Sequence, residues 1–157
     1  MSEYDRDARR RITILLAEDD PGDQELTRRA LRDDLVRTDL RVVEDGEQAL
    51  EYLRREGAYA DPADSPRPEL ILLDLNMPRM NGRELLKILK ADPDLGRIPV
   101  VVLTTSEQEA DILRSYDLGC NSYIQKPVEM DQFVAAVQKL GQYWFDVVTL
   151  PTAVVVS

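Results

Sequence analysis

Glu18, Asp19 and Asp20 follow the apolar run Ile12-Thr13-Ile14-Leu15-Leu16-Ala17. Asp74 follows Glu69-Leu70-Ile71-Leu72-Leu73 and leads into Leu75, Asn76, Met77 and Pro78. Thr104, Thr105 and Ser106 follow Ile98-Pro99-Val100-Val101-Val102-Leu103, and Lys126-Pro127 follows Ser122-Tyr123-Ile124-Gln125. If these four runs lie side by side and point the same way, their polar ends meet. Glu18, Asp19 and Asp74 then crowd negative charge into one place, which raises carboxylate pKa values unless a cation relieves it. A hard divalent ion suits oxygen donors, and Mg²⁺ suits best because it keeps several waters while bridging to phosphoryl oxygens. Lys126 adds a compact positive charge and Thr104 a hydroxyl donor. The set describes a phosphoryl-transfer site with Asp74 as nucleophile, where catalysis is mainly positioning and charge neutralisation.

Each part has a plainer reading. Acids after a strand often cap a helix and line its first turn, and Asp20-Pro21 is itself a good N-cap followed by proline at the first helical position. Asp74 could solvate a turn, Thr104 is a common strand residue, and Lys126-Pro127 could be a turn. The joint pattern, in this order, carries the reading.

What the chain lacks narrows the chemistry further. It contains no histidine, which removes Ser-His-Asp and Cys-His arrangements, histidine-ligated zinc and a phosphohistidine donor role. The single cysteine, Cys120, cannot form an intrachain disulfide. A net charge of −10 disfavours binding to a nucleic-acid backbone, and Arg9-Arg10-Arg11 reads as a solvated lead-in to the first strand. No apolar run approaches a membrane span, and the charged N-terminus opens no signal-like stretch. Cytoplasmic residence is expected, with no membrane partner.

The elements that must position these groups alternate. The nearly continuous apolar runs suit strands covered on both faces, as in a parallel sheet. Weaker strands read at Leu40-Arg41-Val42-Val43-Glu44 and at Ser122 to Gln125. Helical spacing recurs in Leu26, Ala30, Leu31 and Leu35, in Gln48 to Arg54, in Arg83 to Lys90, in Ile112, Leu113 and Tyr116 before Gly119, and in Phe133, Val134, Val137 and Leu140 before Gly141. Five strand-helix repeats with right-handed crossovers predict an α/β fold: one doubly wound, five-stranded parallel sheet in a single domain. Such sheets place sites at the carboxyl ends of their strands. Residues 56–68, rich in proline, read as an extended loop and a surface insertion before the third strand.

The stretches Ile14-Leu15-Leu16-Ala17-Glu18-Asp19-Asp20 and Leu70-Ile71-Leu72-Leu73-Asp74-Leu75-Asn76-Met77-Pro78, with Gly82, Thr104 and Lys126-Pro127, resemble response-regulator receiver domains. The resemblance spans residues 11–140, with residues 1–10 expected to be disordered and 141–157 forming an extension. It implies a two-component phosphoprotein with a flavodoxin-like fold, not an enzyme in the ordinary sense, that takes a phosphoryl group from a sensor histidine kinase onto Asp74. It implies that Glu18, Asp19, Asp74 and the backbone carbonyl of Asn76 hold Mg²⁺. Thr104 then hydrogen-bonds the phosphoryl group, Lys126 pairs with it, and Lys126-Pro127 is a candidate cis peptide. Tyr123 stands where the family has a switch aromatic; the alternative is a sheet-edge residue with a satisfied hydroxyl. The two-state output face would lie around the fourth helix, the fifth strand and the fifth helix.

Two other readings compete. A haloacid-dehalogenase-type phosphohydrolase uses similar groups but wants a second Asp two positions after the nucleophile, where this chain has Asn76. A degenerate receiver acting only in docking does not need the intact set of acids, threonine and lysine. After Gly141 the chain reads Gln142-Tyr143-Trp144-Phe145-Asp146-Val147-Val148-Thr149-Leu150-Pro151, too short for a DNA-binding output module. Its aromatics either cover the domain's own core or form an interface. This ending and the insertion resemble single-domain regulators paired with bacterial phytochromes, which implies a homodimer and a phytochrome-type sensor kinase as partner.

Overall fold

The computed structural model describes residues 11–32, 37–106, 108–111 and 119–139. The apolar runs form β1 (Ile12–Ala17), β2 (Thr38–Val43), β3 (Leu70–Asp74), β4 (Val100–Thr104) and β5 (Ser122–Gln125). All four pairings are parallel, in the order β2-β1-β3-β4-β5. This is the doubly wound sheet expected of the alternating pattern. β3 and β4 are buried at every position, hence their unbroken apolar sequences. Edge strand β2 is only half-buried over most of its length and starts at Thr38 rather than Leu40, because Thr38 and Asp39 pair with Ile12 and Thr13. β4 starts at Val100 rather than Ile98, after a 3-10 turn at Leu95–Arg97.

Among the described residues, helices α1 (Pro21–Ala30), α2 (Gly46–Arg54), α3 (Gly82–Ala91) and α4 (Met130–Gln138) pack on the sheet. Their starts are chemically marked. Asp20 caps α1 by accepting from the Asp23 N–H, with Pro21 in the first turn. Asp45 caps α2 through the Gln48 N–H. Asn81 and Glu84 form a reciprocal capping box on α3.

Strand side chains alternate between two cores. Leu15, Ala17, Ile71, Leu73, Val100 and Val102 meet α2 and α3 on one face. Ile14, Leu16, Leu70, Leu72, Val101, Leu103 and Ile124 meet Leu31, Phe133 and Val137 on the other. Leu26 departs from the expectation: it is 46% exposed, and α1 turns Thr27 and Leu31 inward instead. Positions four apart share a face, and Leu26 falls one step, about 100°, away from that line.

The segment between α2 and β3 is not extended. It folds into 3-10 turns at Gly57–Tyr59 and Pro62–Asp64. The Tyr52 hydroxyl donates to the Pro66 carbonyl over 2.7 Å, and the buried Ser65 hydroxyl donates to the Tyr59 carbonyl over 2.9 Å. The Tyr52 and Tyr59 rings lie 5.3 Å apart between centroids.

Residues 1–10, Leu35, the helix read from Ile112 to Tyr116, Leu140 and the segment 141–157 lie outside the described residues. Among the described residues, no helix is long and apolar enough to cross a membrane.

Candidate functional site

The register of the sheet brings the polar strand ends together. Ala17 pairs with Leu73, so Glu18 and Asp74 each follow the same rung. Asp74 pairs with Leu103, placing Thr104 one step on. Thr104 pairs with Gln125, and Lys126 comes next, its backbone N–H donating to the Thr104 carbonyl over 2.7 Å. The Lys126-Pro127 peptide is cis.

Lys126 is the centre of the cluster. Its Nζ donates to Asp74 Oδ2 over 3.0 Å and to Asp23 Oδ2 over 3.1 Å. It also forms an ion pair with Glu18 Oε1 at 2.6 Å. Glu18 is held from its other side by the Asp20 N–H on Oε2 at 3.2 Å, and Gln24 Nε2 donates to its backbone carbonyl. The Asn76 N–H donates to Asp74 Oδ1 over 3.1 Å, fixing the second carboxylate oxygen.

Burial pushes the Glu18 carboxyl up to about 7, against the lowering pull of Lys126 and the Asp20 N–H and with the Asp74 charge adding to the rise. Burial alone would depress the Lys126 ammonium, but its ion pairs with Glu18 and Asp74 outweigh that and raise it above the ordinary lysine value.

Carboxylate oxygens of Glu18, Asp19 and Asp74 lie within 4.8 Å of one another. Among the described residues, the buried side-chain polar atoms without a hydrogen-bond partner are Glu18 Oε1 and Thr104 Oγ1, both in this cluster. Buried polar atoms are ordinarily paired, so a threonine hydroxyl without a partner beside a carboxylate oxygen held by the Lys126 ion pair fits a site that takes a further charged group. The anionic, all-oxygen donor set fits a hard divalent cation rather than a soft one.

The remaining expected residues are placed as follows. Asn76 is exposed on the loop directly after Asp74. Tyr123 lies on β5, the strand that Lys126 directly follows, half-buried against the α2 and α3 side of the sheet.

Residues to which the sequence reading gave no role also shape the site. Asp23 reaches Lys126 from the first turn of α1, where an acid is expected for the helix dipole alone. The loop from Leu75 to Asn81 is pinned to the start of α2. Arg79, in the left-handed region at φ 59°, donates through Nε to the fully buried Asp45 Oδ2 over 2.8 Å. The Gly46 N–H donates to the Met80 carbonyl over 2.8 Å. The backbones approach so closely there that a Cβ on Gly46 would sit 2.5 Å from the Met80 oxygen. The left-handed residue could not have been told from its type, since arginine has no preference for that conformation.

Residues 14–138 match the model of the response regulator receiver domain. Response regulator Rcp1 of Synechocystis sp. is 44% identical over 140 residues, covering 89% of this chain and 93% of Rcp1. The bacteriophytochrome response regulator RtBRR superposes with a TM-score of 0.77 at 47% identity, over 86% of this chain and 81% of its own. The phosphorylated cyanobacterial phytochrome response regulator RcpA gives a TM-score of 0.67 at 45% identity, over 87% and 95% of the two chains. Rcp1 in its Mn²⁺-bound form gives 0.65 at 44% identity, over 80% and 88%.

Proposed function

The chain belongs to the response regulator receiver family, and from that footing we propose that it accepts a phosphoryl group on Asp74 from a sensor histidine kinase. The observation that carries the proposal is the meeting of Glu18, Asp74 and Lys126 within 3.0 Å contacts at the carboxyl edge of the sheet, beside Asp19 and Thr104. Receivers are signalling proteins rather than enzymes in the ordinary sense.

Glu18, Asp19, Asp74 and the Asn76 backbone carbonyl would hold Mg²⁺. When bound, the ion neutralises charge developing on the phosphoryl oxygens. The Mn²⁺-bound form of Rcp1 supports a divalent cation here, and Mg²⁺ is the member of that class that best suits phosphoryl chemistry.

The chain's own residues do the rest. An Asp74 carboxylate oxygen attacks phosphorus as the bond to the donor's imidazole nitrogen breaks, the ring's other nitrogen carrying a proton, which leaves an acyl phosphate on Asp74 and a neutral histidine on the kinase. Asn76 N–H and Lys126 Nζ hold one carboxylate oxygen each, which limits the nucleophile's orientations. The product carries nearly two negative charges and strong acceptor oxygens. Lys126 pairs with them, and Thr104 Oγ1 donates its hydrogen bond there.

The switch follows from those two movements. Thr104 ends β4, and Lys126 directly follows the edge strand β5, which carries Tyr123, so their displacement changes the surface that β5 presents. Relatives named for bacteriophytochromes and cyanobacterial phytochromes support a phytochrome-type kinase as the donor. We further propose that the protein forms a homodimer and acts in the cytoplasm with such a kinase.

Incubation of the full chain with Mg²⁺ and acetyl phosphate tests the proposal. Stoichiometric labelling that Asp74→Asn abolishes is expected. Unchanged labelling of that variant removes the nucleophile assignment, multiple turnover favours a phosphohydrolase, and no labelling at all leaves a docking module.

A further inference from the structure

Asp23 is not among the groups that the proposed reaction uses, yet its carboxylate touches the site's lysine. Its side chain is 35% exposed, against 8% for Asp74 and 1% for Glu18, so it forms the outer wall of the cluster. Lys126 is therefore shared among three carboxylates at 2.6, 3.0 and 3.1 Å. Two of them, Glu18 and Asp74, belong to the group whose oxygens close within 4.8 Å of one another; Asp23 does not. An ammonium and a divalent cation repel strongly in so sheltered a place. The two therefore compete for Glu18 and Asp74.

We propose that Asp23 is a positioning residue of this site: it takes up the Lys126 ammonium when a divalent cation engages Glu18 and Asp74, and keeps it within reach of an incoming phosphoryl group. The inference rests on the phosphoacceptor reading and adds a residue to it. Without Asp23, the lysine's remaining acidic partners among the described residues are the cation's own ligands, and it competes for them. Asp23 thus acts through Lys126 rather than on the cation directly.

Mn²⁺ affinity, measured by calorimetry on the full chain, tests this in four proteins: wild type, Asp23→Asn, Lys126→Ala and the double variant. Asparagine preserves the backbone N–H that Asp20 caps, and thermal unfolding checks that each variant is folded. Asp23→Asn is expected to weaken Mn²⁺ binding about tenfold, the low end for groups that act through a metal's ligands. In the Lys126→Ala background the same change is expected to cost no more than about twofold. Asp23→Glu, which keeps the charge, is expected to recover most of the loss. Equal losses with and without Lys126 would make Asp23 a simple source of negative charge and overturn the inference, as would unaltered affinity in Asp23→Asn. A wild-type protein that binds no Mn²⁺, or binding that survives Glu18→Gln combined with Asp74→Asn, would bring down the phosphoacceptor site itself.

Discussion

Lys126 and Asp74 stand 52 positions apart in the chain, and the lysine Nζ donates to the aspartate Oδ2 over 3.0 Å. The pairing is a product of sheet order. β4 separates their strands, and the parallel register carries each successive strand end one step along the same edge. The lysine occupies the carboxylates that a cation needs, so the two compete. Lys126→Ala is accordingly expected to raise divalent-cation affinity several-fold, a change on the order of 1 kcal/mol, while abolishing any phosphorylation-dependent change in partner or self-association. Calorimetry and sedimentation with and without acetyl phosphate check both parts. Phosphorylation-dependent association that survives the substitution would show that the lysine is not part of the switch.

Glu18 links stability to pH. Burial disfavours its charged form and pushes the folded-state carboxyl up to about 7 from an ordinary 4.5. Between those values the folded protein holds a proton that the unfolded chain has released. The contribution of this group is fully present below the unfolded value and is lost as pH rises through the folded one. Urea midpoints of the cation-free protein should fall between roughly pH 5 and pH 8, with Glu18→Gln reducing that fall. Added Mg²⁺ replaces the proton and should restore stability at the higher pH. A fall of the same size in Glu18→Gln would place its origin elsewhere.

Gly82 opens α3 directly behind Asp74. A Cβ there would lie 2.6 Å from the Asp74 carbonyl oxygen and 2.7 Å from Leu75 Cα, both backbone atoms. Gly82→Ala is expected to cost about 1–3 kcal/mol through overpacking and to slow labelling by acetyl phosphate as Asp74 is displaced. Denaturant unfolding and labelling rate report the two effects. Wild-type values for both would mean that the backbone yields freely.

Asp45 joins two tasks that substitution can separate. It caps α2 through the Gln48 N–H and receives Arg79 from the loop that carries Asn76. Asp45→Ala removes both and should lose about 1 kcal/mol from the cap alone. Asp45→Asn keeps a capping oxygen and gives up the charged partner, so it should be the more stable of the two while both lose cation affinity. Equal stability of the two variants would show that the cap contributes nothing measurable.

Sequence periodicity was a good guide wherever burial is complete. β3 and β4, covered on both faces, could be read as unbroken apolar runs, and the four polar strand ends followed from assuming they are parallel neighbours. Legibility faded where burial is partial. The edge strand β2 enters its ladder through Thr38 and Asp39, which carry no apolar signal. Leu26 belongs to the apolar pattern of α1 by type but faces solvent, and the semi-polar Thr27 takes the buried line. Asp23 and Arg79 were invisible for another reason: their contacts, with Lys126 and Asp45, depend on tertiary neighbours far away in the chain. The insertion read as extended because its prolines mark turns without saying that Tyr52 and Ser65 would anchor them.

A crystal structure of the full chain with Mg²⁺ and beryllofluoride bears most directly on the central claim. One cation bound by Glu18, Asp19, Asp74 and the Asn76 carbonyl is expected, with the fluoride adduct on Asp74 and Thr104 Oγ1 and Lys126 Nζ donating to its fluorines. An adduct on a different carboxylate, or a cation bound away from Asp74, would contradict the account.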